Sequence, residues 1–231
     1  MVALDVNRLG SACALARQLR GAAGLLKVGS QLFTSEGPQA MKKLAGLGFG
    51  IFLDLKFHDI PNTVAGSVAA ASALPGIRML TLHASGGLSM MRAAREAAGD
   101  KKNRPALLGV TILTSLDAPT LRQVGIAGTP GARALALAGL AKEAGLDGVV
   151  ASAHEARDIR RACGPKFLIV VPGVRPSTAA VNDQSRVATP AEAIRAGADY
   201  LVVGRPITAA KNPRVAAMGI NEEIAATRAQ R

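Results

Sequence analysis

The sequence predicts an α/β fold, a (β/α)8 TIM barrel built as a single domain over residues 1–231. Three observations lead there. Apolar runs of strand length alternate with Ala-rich stretches of helix length along the whole chain, the pattern of β-α units wound around a parallel sheet. Eight such runs in 231 residues give about 29 residues per unit, in keeping with the roughly 250 residues of a typical barrel. No linker or composition break divides the chain, and no Gly-rich dinucleotide fingerprint follows the first strand, which counts against an open doubly wound sheet.

In chain order the predicted strands are Val2 to Asp5 (VALD), Leu25 to Val28 (LLKV), Gly50 to Lys56 (GIFLDLK), Met79 to His83 (MLTLH), Ala106 to Thr111 (ALLGVT), Gly148 to Ser152 (GVVAS), Phe167 to Val171 (FLIVV) and Tyr200 to Gly204 (YLVVG). The first three end in charge: Asp5, then Lys27, then Asp54 and Lys56. Barrel strands are buried on both faces, so such groups are costly unless they pair. Asp54 and Lys56 are two residues apart and share a face, with Leu55 between them pointing outward. Lys27 on the neighbouring strand completes a Lys/Asp cluster at the C-terminal mouth, the end at which barrel active sites are built. A structural ion-pair network is the alternative.

The fourth strand ends at His83, which reads as a hydrogen-bonded lining residue rather than a catalyst. DLKFHDIPNTV runs from the third strand into a helix. Asp59, two residues before Pro61, has the look of a helix cap, and the residues alone do not separate that from a part in chemistry. His58 reads as structural or surface. The connections Leu113 to Gly131 and Pro172 to Thr189 are longer than the rest; at the mouth, the extra length is either functional or a tolerated insertion. VPGVRP (Val171 to Pro176) and VVGRPI (Val202 to Ile207) follow the seventh and eighth strands, where barrels often hold phosphate on backbone amides and an Arg clamp. Gly204 permits close backbone approach and Arg205 supplies charge, while Arg175 and Gln184 lie in the long seventh loop. Ordinary turn chemistry is the competing reading of the Gly-Arg pair.

With 49% hydrophobic and 19% charged residues, Gly 25 and Pro 12, disorder and low complexity are excluded. Apolar runs such as Ala106 to Val110 fall far short of the ~18–20 residues of a membrane span. Met1 to Asp5 reaches an acid at once, without the basic start and apolar stretch of a secretory leader, so a cytoplasmic location is expected. The net charge of +12 suits an anionic partner: nucleic acid, a membrane surface or a phosphorylated metabolite. Against nucleic acid, the basic residues are scattered and aromatics are 3%, with one Tyr and no Trp, which leaves few stacking platforms. The denser clusters, KKNR (Lys101 to Arg104) and RDIRR (Arg157 to Arg161), read as a solvated loop and a solvated helix face. Cys13 and Cys163 lack metal-ligand spacing and read as small reduced hydrophobes.

ALD (Ala3 to Asp5), LKVG (Leu26 to Gly29), DLKFHDIPNTV (Asp54 to Val64), LTS (Leu113 to Ser115), PGVRP (Pro172 to Pro176) and VVGRPIT (Val202 to Thr208) closely resemble the orotidine 5'-phosphate decarboxylase family. The likeness covers nearly the whole chain in order. DLKFHDIPNTV is highly specific, whereas GRPI alone is shared by other phosphate-binding barrels. The resemblance implies a homodimer that converts orotidine 5'-phosphate to UMP, the last step of de novo pyrimidine synthesis, with no cofactor and no metal. It implies an alternating array of Lys27, Asp54, Lys56 and Asp59, with Asp59 and Thr63 contributed across the dimer interface. It gives Asp5 and Lys27 to the ribose, Thr114 to the pyrimidine, and Arg175, Gln184, Gly204 and Arg205 to the phosphate, under a closing seventh loop. Lys56 becomes the candidate proton donor. The chain begins four residues before Asp5, so the first strand is expected to be short.

The nearest rival is a magnesium-dependent sugar-phosphate decarboxylase or aldolase sharing the barrel and the DxKxxD spacing. Those families place Glu on the second strand to hold the metal, where this chain has Lys27. A basic nucleic-acid-binding domain, the rival of a different class, leaves buried acids at strand ends unexplained.

Overall fold

The computed structural model describes residues 1–100, 103–176 and 188–230. Eight parallel strands run in chain order, each paired with the next, without the reversal of strand order that an open doubly wound sheet requires. The two edges meet. Ala3 N–H donates to Val203 O at 2.9 Å and Val203 N–H donates to Met1 O at 3.0 Å, with a parallel bridge between Val2 and Val203. The sheet therefore closes into a barrel.

β1 (Val2–Ala3) leads through α1 (Leu9–Gln18) to β2 (Leu25–Gly29), and α2 (Ser30–Glu36) and α3 (Gln39–Gly46) precede β3 (Gly50–Phe57). α4 (Pro61–Ser72) precedes β4 (Ile77–His83), and α5 (Gly87–Ala98) precedes β5 (Ala106–Val110). α6 (Ala118–Gln123) and α7 (Pro130–Glu143) lead to β6 (Gly148–Val150), and α8 (Ala153–Cys163) to β7 (Leu168–Val171). Then come α9 (Pro190–Ala196), β8 (Tyr200–Leu201), the short α10 (Arg205–Thr208) and α11 (Pro213–Ala229). All eight expected strands are present, with shifted ends. β1 stops at Ala3, so Asp5 stands beyond the strand rather than closing it. β6 and β8 lose their expected tails because Ser152 and Gly204 serve instead as the N-caps of α8 and α10: the start of a helix competes with the strand for the same residues.

Helix starts follow local chemistry. Pro61, Pro130, Pro190 and Pro213 each occupy the first helical position, where the missing N–H has no partner to lose. Ser152 with Glu155, and Thr189 with Glu192, form capping boxes. Gly148 is required for close strand approach, since a Cβ there would lie 2.2 Å from Leu168 O.

Period-2 alternation sorts the strand residues. Leu26, Val28, Ile51, Leu53, Leu80, Leu82, Leu107 and Ile169 join the large core between sheet and helices. Ala3, Phe52, Met79, Leu108, Val170 and Val202 form a separate cluster inside the barrel. Two residues further along the same strands lie Lys27 (after Leu25), Asp54 (after Phe52) and Thr81 (after Met79). The polar site thus rests on an apolar plug.

At the other end of the barrel, two arginines depart from the solvated reading. Arg104 makes a bidentate pair with Asp147 at 2.6 and 2.8 Å, while Asp147 accepts Leu107 N–H at 2.7 Å. Arg160 pairs with Asp199 at 2.6 Å, donates to the carbonyls of Gly164, Phe167 and Gly197, and Asp199 accepts Ile169 N–H at 2.7 Å. Each aspartate precedes a strand and satisfies an amide of the strand before it. A charge cluster in sequence cannot reveal this, because the partner is about forty residues away. Lys101 and Lys102 lie outside the described residues. Cys13 and Cys163 are free thiols, and burial raises the pKa of Cys163, consistent with an inert core residue. Among the described residues no helix is long and apolar enough to cross a membrane.

Candidate active site

β3 departs from regular geometry where its charges begin. Leu53 pairs with Leu80 and the next partners are Phe57 and Leu82, so Asp54, Leu55 and Lys56 stand opposite Thr81 alone. This is a bulge. Within it Lys56 takes φ of +53°, the one non-glycine residue with positive φ among the described residues, a conformation that costs an L-residue about 1–2 kcal/mol. Its Nζ then reaches Asp54 Oδ2 at 2.9 Å.

Asp54 is 8% exposed. Besides Lys56, it has Lys27 Nζ at 3.7 Å and accepts the Thr81 hydroxyl at 3.0 Å. Lys27 also bonds Asp5 Oδ1 at 3.0 Å. The four charges therefore alternate in sign, Asp5, Lys27, Asp54, Lys56, and each ammonium partly offsets the burial cost of the carboxylate beside it. Sequence alone placed all four of these at strand ends; Asp5 instead lies beyond β1 as an exposed side chain held by Lys27.

The array lines one part of a cavity of about 480 Å³ at the C-terminal mouth, within the ordinary range for small-molecule sites. Val110, Ile112, Val150 and Val202 contribute apolar wall, Thr114 borders it from the loop after β5, and Pro172 to Arg175 with Gly204 and Arg205 supply the rest of the rim. Arg175 is buried at 6% exposure, and its backbone N–H donates to Ala188 O at 3.0 Å. The extra length after β5 carries α6, whose Leu121 packs with Ile112 and Ala134 in a small cluster of its own, so this loop is built onto the mouth.

Asp59 and Thr63 are exposed and neither is among the residues lining the cavity of their own chain. The capping reading of Asp59 is corrected. Ile60 is the N-cap of α4, with Pro61 first in the helix and no side-chain cap. Asp59 sits one position too early, and among the described residues its carboxylate accepts the Ile60 N–H, at 2.6 Å. Gln184 lies outside the described residues. His83 closes β4 as expected, with its ring centroid 5.2 Å from that of His58. Burial, then the neighbouring His58 and Lys56, hold its pKa below the usual histidine value.

Two contributors escaped sequence reasoning. Thr81 is fully buried and also accepts Lys56 N–H at 2.9 Å; its period-2 relation to Met79 was the available signal. Gly29 leaves space for Lys27, since a Cβ there would come within 3.1 Å of Nζ. Among the described residues no group of three or more His, Cys, Asp or Glu is arranged to hold a metal ion.

Residues 1–220 match the family model described as orotidine 5'-phosphate decarboxylase / HUMPS family. The chain is 54% identical over 224 residues to an orotidine 5'-phosphate decarboxylase of Nitrosococcus oceani, covering 97% of this chain and 96% of the relative. It is 53% identical over 226 residues to that of Halorhodospira halophila, covering 98% and 95%. Among solved structures, orotidine 5'-phosphate decarboxylase from Lactobacillus acidophilus superposes with a TM-score of 0.84 at 37% identity, covering 96% of this chain and 97% of that one.

Proposed function

The chain belongs to the orotidine 5'-phosphate decarboxylase / HUMPS family, and from that premise we propose how the barrel mouth does its work. The enzyme is a carboxy-lyase that converts orotidine 5'-phosphate to UMP and carbon dioxide in pyrimidine biosynthesis. The observation that carries the assignment of roles is the alternating Asp5, Lys27, Asp54, Lys56 array in one cavity with Arg175 and Arg205.

In this scheme the bond between the pyrimidine C6 and its carboxylate breaks, carbon dioxide leaves, and the electron pair stays on C6. The Lys56 ammonium, held in place before substrate arrives, stabilises that developing charge and then donates its proton to C6. The resulting amine regains a proton from solvent. Asp54 fixes the Lys56 head group and sets a carboxylate near the one that departs. Asp5 and Lys27 hold the ribose hydroxyls, and Thr114 borders the base. Arg175, Gln184, Gly204 and Arg205 take the phosphate, whose charge of about −1.5 to −2 makes Arg a suitable partner; binding there helps hold the reacting end in place. The net charge of +12 favours capture of a substrate that carries both a carboxylate and a phosphate. Side chains supply the proton and the electrostatics, so no cofactor or metal enters the scheme.

The full length 1–231 acts as one catalytic domain, working in the cytoplasm with the rest of its pathway. Two copies complete each site, with Asp59 and Thr63 crossing to the partner's cavity. Support comes from their exposure and from Ile60 between them, an apolar residue left 66% exposed.

Incubation with orotidine 5'-phosphate, following the ultraviolet change on its conversion, tests the reaction with and without chelator. The family description also includes the HUMPS group, which offers a second reading: a magnesium-dependent sugar-phosphate enzyme. Lys27 beside Asp54 disfavours it, since an ammonium 3.7 Å from the carboxylate repels a divalent cation. Activity lost in chelator and restored by magnesium would favour that second reading.

A further inference from the structure

We propose that Thr81 is a positioning residue for the reaction, tying Asp54 and Lys56 to each other through β4. The inference rests on the reading of Lys56 as proton donor and Asp54 as its partner. Thr81 is not itself among the residues lining the cavity and is closed to solvent, so it acts through those two residues.

The hydrogen bonds around its hydroxyl have a fixed direction. A backbone amide only donates, and an ionised carboxylate only accepts. Thr81 Oγ1 therefore accepts Lys56 N–H at 2.9 Å and gives its own proton to Asp54 Oδ1 at 3.0 Å. Asp54 Oδ2 is left for the ammonium of Lys56 at 2.9 Å. Asp54, Thr81 and Lys56 thus form a closed ring: side chain to hydroxyl, hydroxyl to backbone, and side chain back to side chain.

The ring sits where the sheet fails to hold β3. Between the pairs Leu53 with Leu80 and Phe57 with Leu82, three residues of β3 face one residue of β4, so the regular ladder offers no register for Lys56. Its φ of +53° is one that side-chain-bearing residues rarely adopt. Such a conformation persists when surrounding bonds over-determine it. A valine has the branched shape of threonine with a methyl in place of the hydroxyl, so it would remove both bonds with little change of shape. Serine would keep the hydroxyl and lose a methyl.

The experiment compares the full-length wild type with Thr81→Val and Thr81→Ser. Steady-state kinetics with orotidine 5'-phosphate, calorimetric binding of UMP, and hydrogen–deuterium exchange of the Lys56 amide are measured on proteins confirmed folded by circular dichroism. Thr81→Val should lower kcat by about 10- to 100-fold while KM and the UMP Kd stay within about threefold, because the ligand-facing groups remain. Thr81→Ser should recover most of kcat, and the Lys56 amide should exchange faster in Thr81→Val alone. A folded Thr81→Val with near-normal kcat overturns the proposal, as does a Thr81→Ser that loses as much as Thr81→Val, which would mean packing. If Thr81→Val does not fold, Thr81→Ala against Thr81→Ser asks the same question through the hydroxyl alone, and equal kcat values overturn it. A wild type unable to decarboxylate orotidine 5'-phosphate defeats the functional reading, while amide exchange still decides the tether: unchanged exchange in Thr81→Val overturns it.

Discussion

Lys56 Nζ lies 2.9 Å from Asp54 Oδ2 on the same strand, closer than Lys27 Nζ at 3.7 Å on the neighbouring strand. Asp54 is buried and Lys56 is more than a third exposed at its side chain, so the exposed partner is the one free to face a bound pyrimidine. The pair is asymmetric in the way the proposed roles, a fixed anion and a proton-donating cation, require.

Lys56→Ala should accordingly abolish decarboxylation, with kcat below about 1% of wild type, in a protein that still folds. Lys27 and Thr81 continue to satisfy Asp54, and partial exposure of Lys56 limits the stability loss to about 1 kcal/mol. Single-turnover assays and a urea titration measure the two effects. Near-normal turnover by the folded variant would remove Lys56 from the role of proton donor.

Arg205→Ala should reduce kcat/KM for orotidine 5'-phosphate by roughly 10- to 150-fold, the worth of one charge-assisted contact. It should leave the slow reaction of phosphate-free orotidine almost unchanged. Comparing the two substrates on the same preparations separates phosphate binding from damage to the site. Equal losses on both would place the effect elsewhere.

The array was legible because charge at the end of a buried strand is conspicuous: Lys27, Asp54 and Lys56 stand out against LLKV and GIFLDLK. The barrel was legible because eight apolar runs recur at a regular spacing. Thr81 was not, since one threonine in MLTLH is ordinary strand composition and its importance depends on a bulge in another strand. Arg104 and Arg160 were misread for a similar reason: their partners, Asp147 and Asp199, are distant in sequence. The capping alternative for Asp59, which the residues alone left open beside a part in chemistry, misses by a single position, because Pro61 makes Ile60 the N-cap.

The Arg104 pair with Asp147 should stabilise the closed end of the barrel without touching catalysis. Arg104→Met leaves Asp147 half-satisfied by Leu107 N–H and should cost about 1–3 kcal/mol. The midpoint of urea unfolding should fall while kcat and KM hold. An unaltered midpoint would show the pair to be no more than an ordinary surface contact.

His83 should make stability fall in mild acid. Burial, His58 and Lys56 lower its pKa in the folded protein from the ordinary value of 6.5, so below about 6.5 the unfolded chain binds a proton that the folded one resists. Its favourable contribution is complete above that pH and is lost as pH falls through the lowered value. The melting temperature of wild type should drop between pH 7 and 5, and His83→Asn should show a shallower drop. The carboxylates with lowered pKa, Glu192 and Asp117, start from 4.5 and 3.8 and act at lower pH. Parallel melting curves for the two proteins would exclude His83 as the source.

Asp59 poses the last question, since its carboxylate is bonded to Ile60 N–H and stands outside the cavity of its own chain. If each site takes Lys56 from one chain and Asp59 from the other, an isologous interface repeats the arrangement twice. Homodimers of Lys56→Ala and of Asp59→Ala should then both be nearly inactive. A mixed dimer has one site carrying both lesions and one carrying neither. Random exchange of equal amounts makes about half the dimers mixed, each with one of its two sites whole, so roughly a quarter of wild-type activity should return. If Asp59 served its own chain's site, every site in the mixture would carry at least one lesion. Subunit exchange verified by mass spectrometry, with no recovery of activity, would therefore rule out the shared site and leave Asp59 as a residue of the α4 entrance.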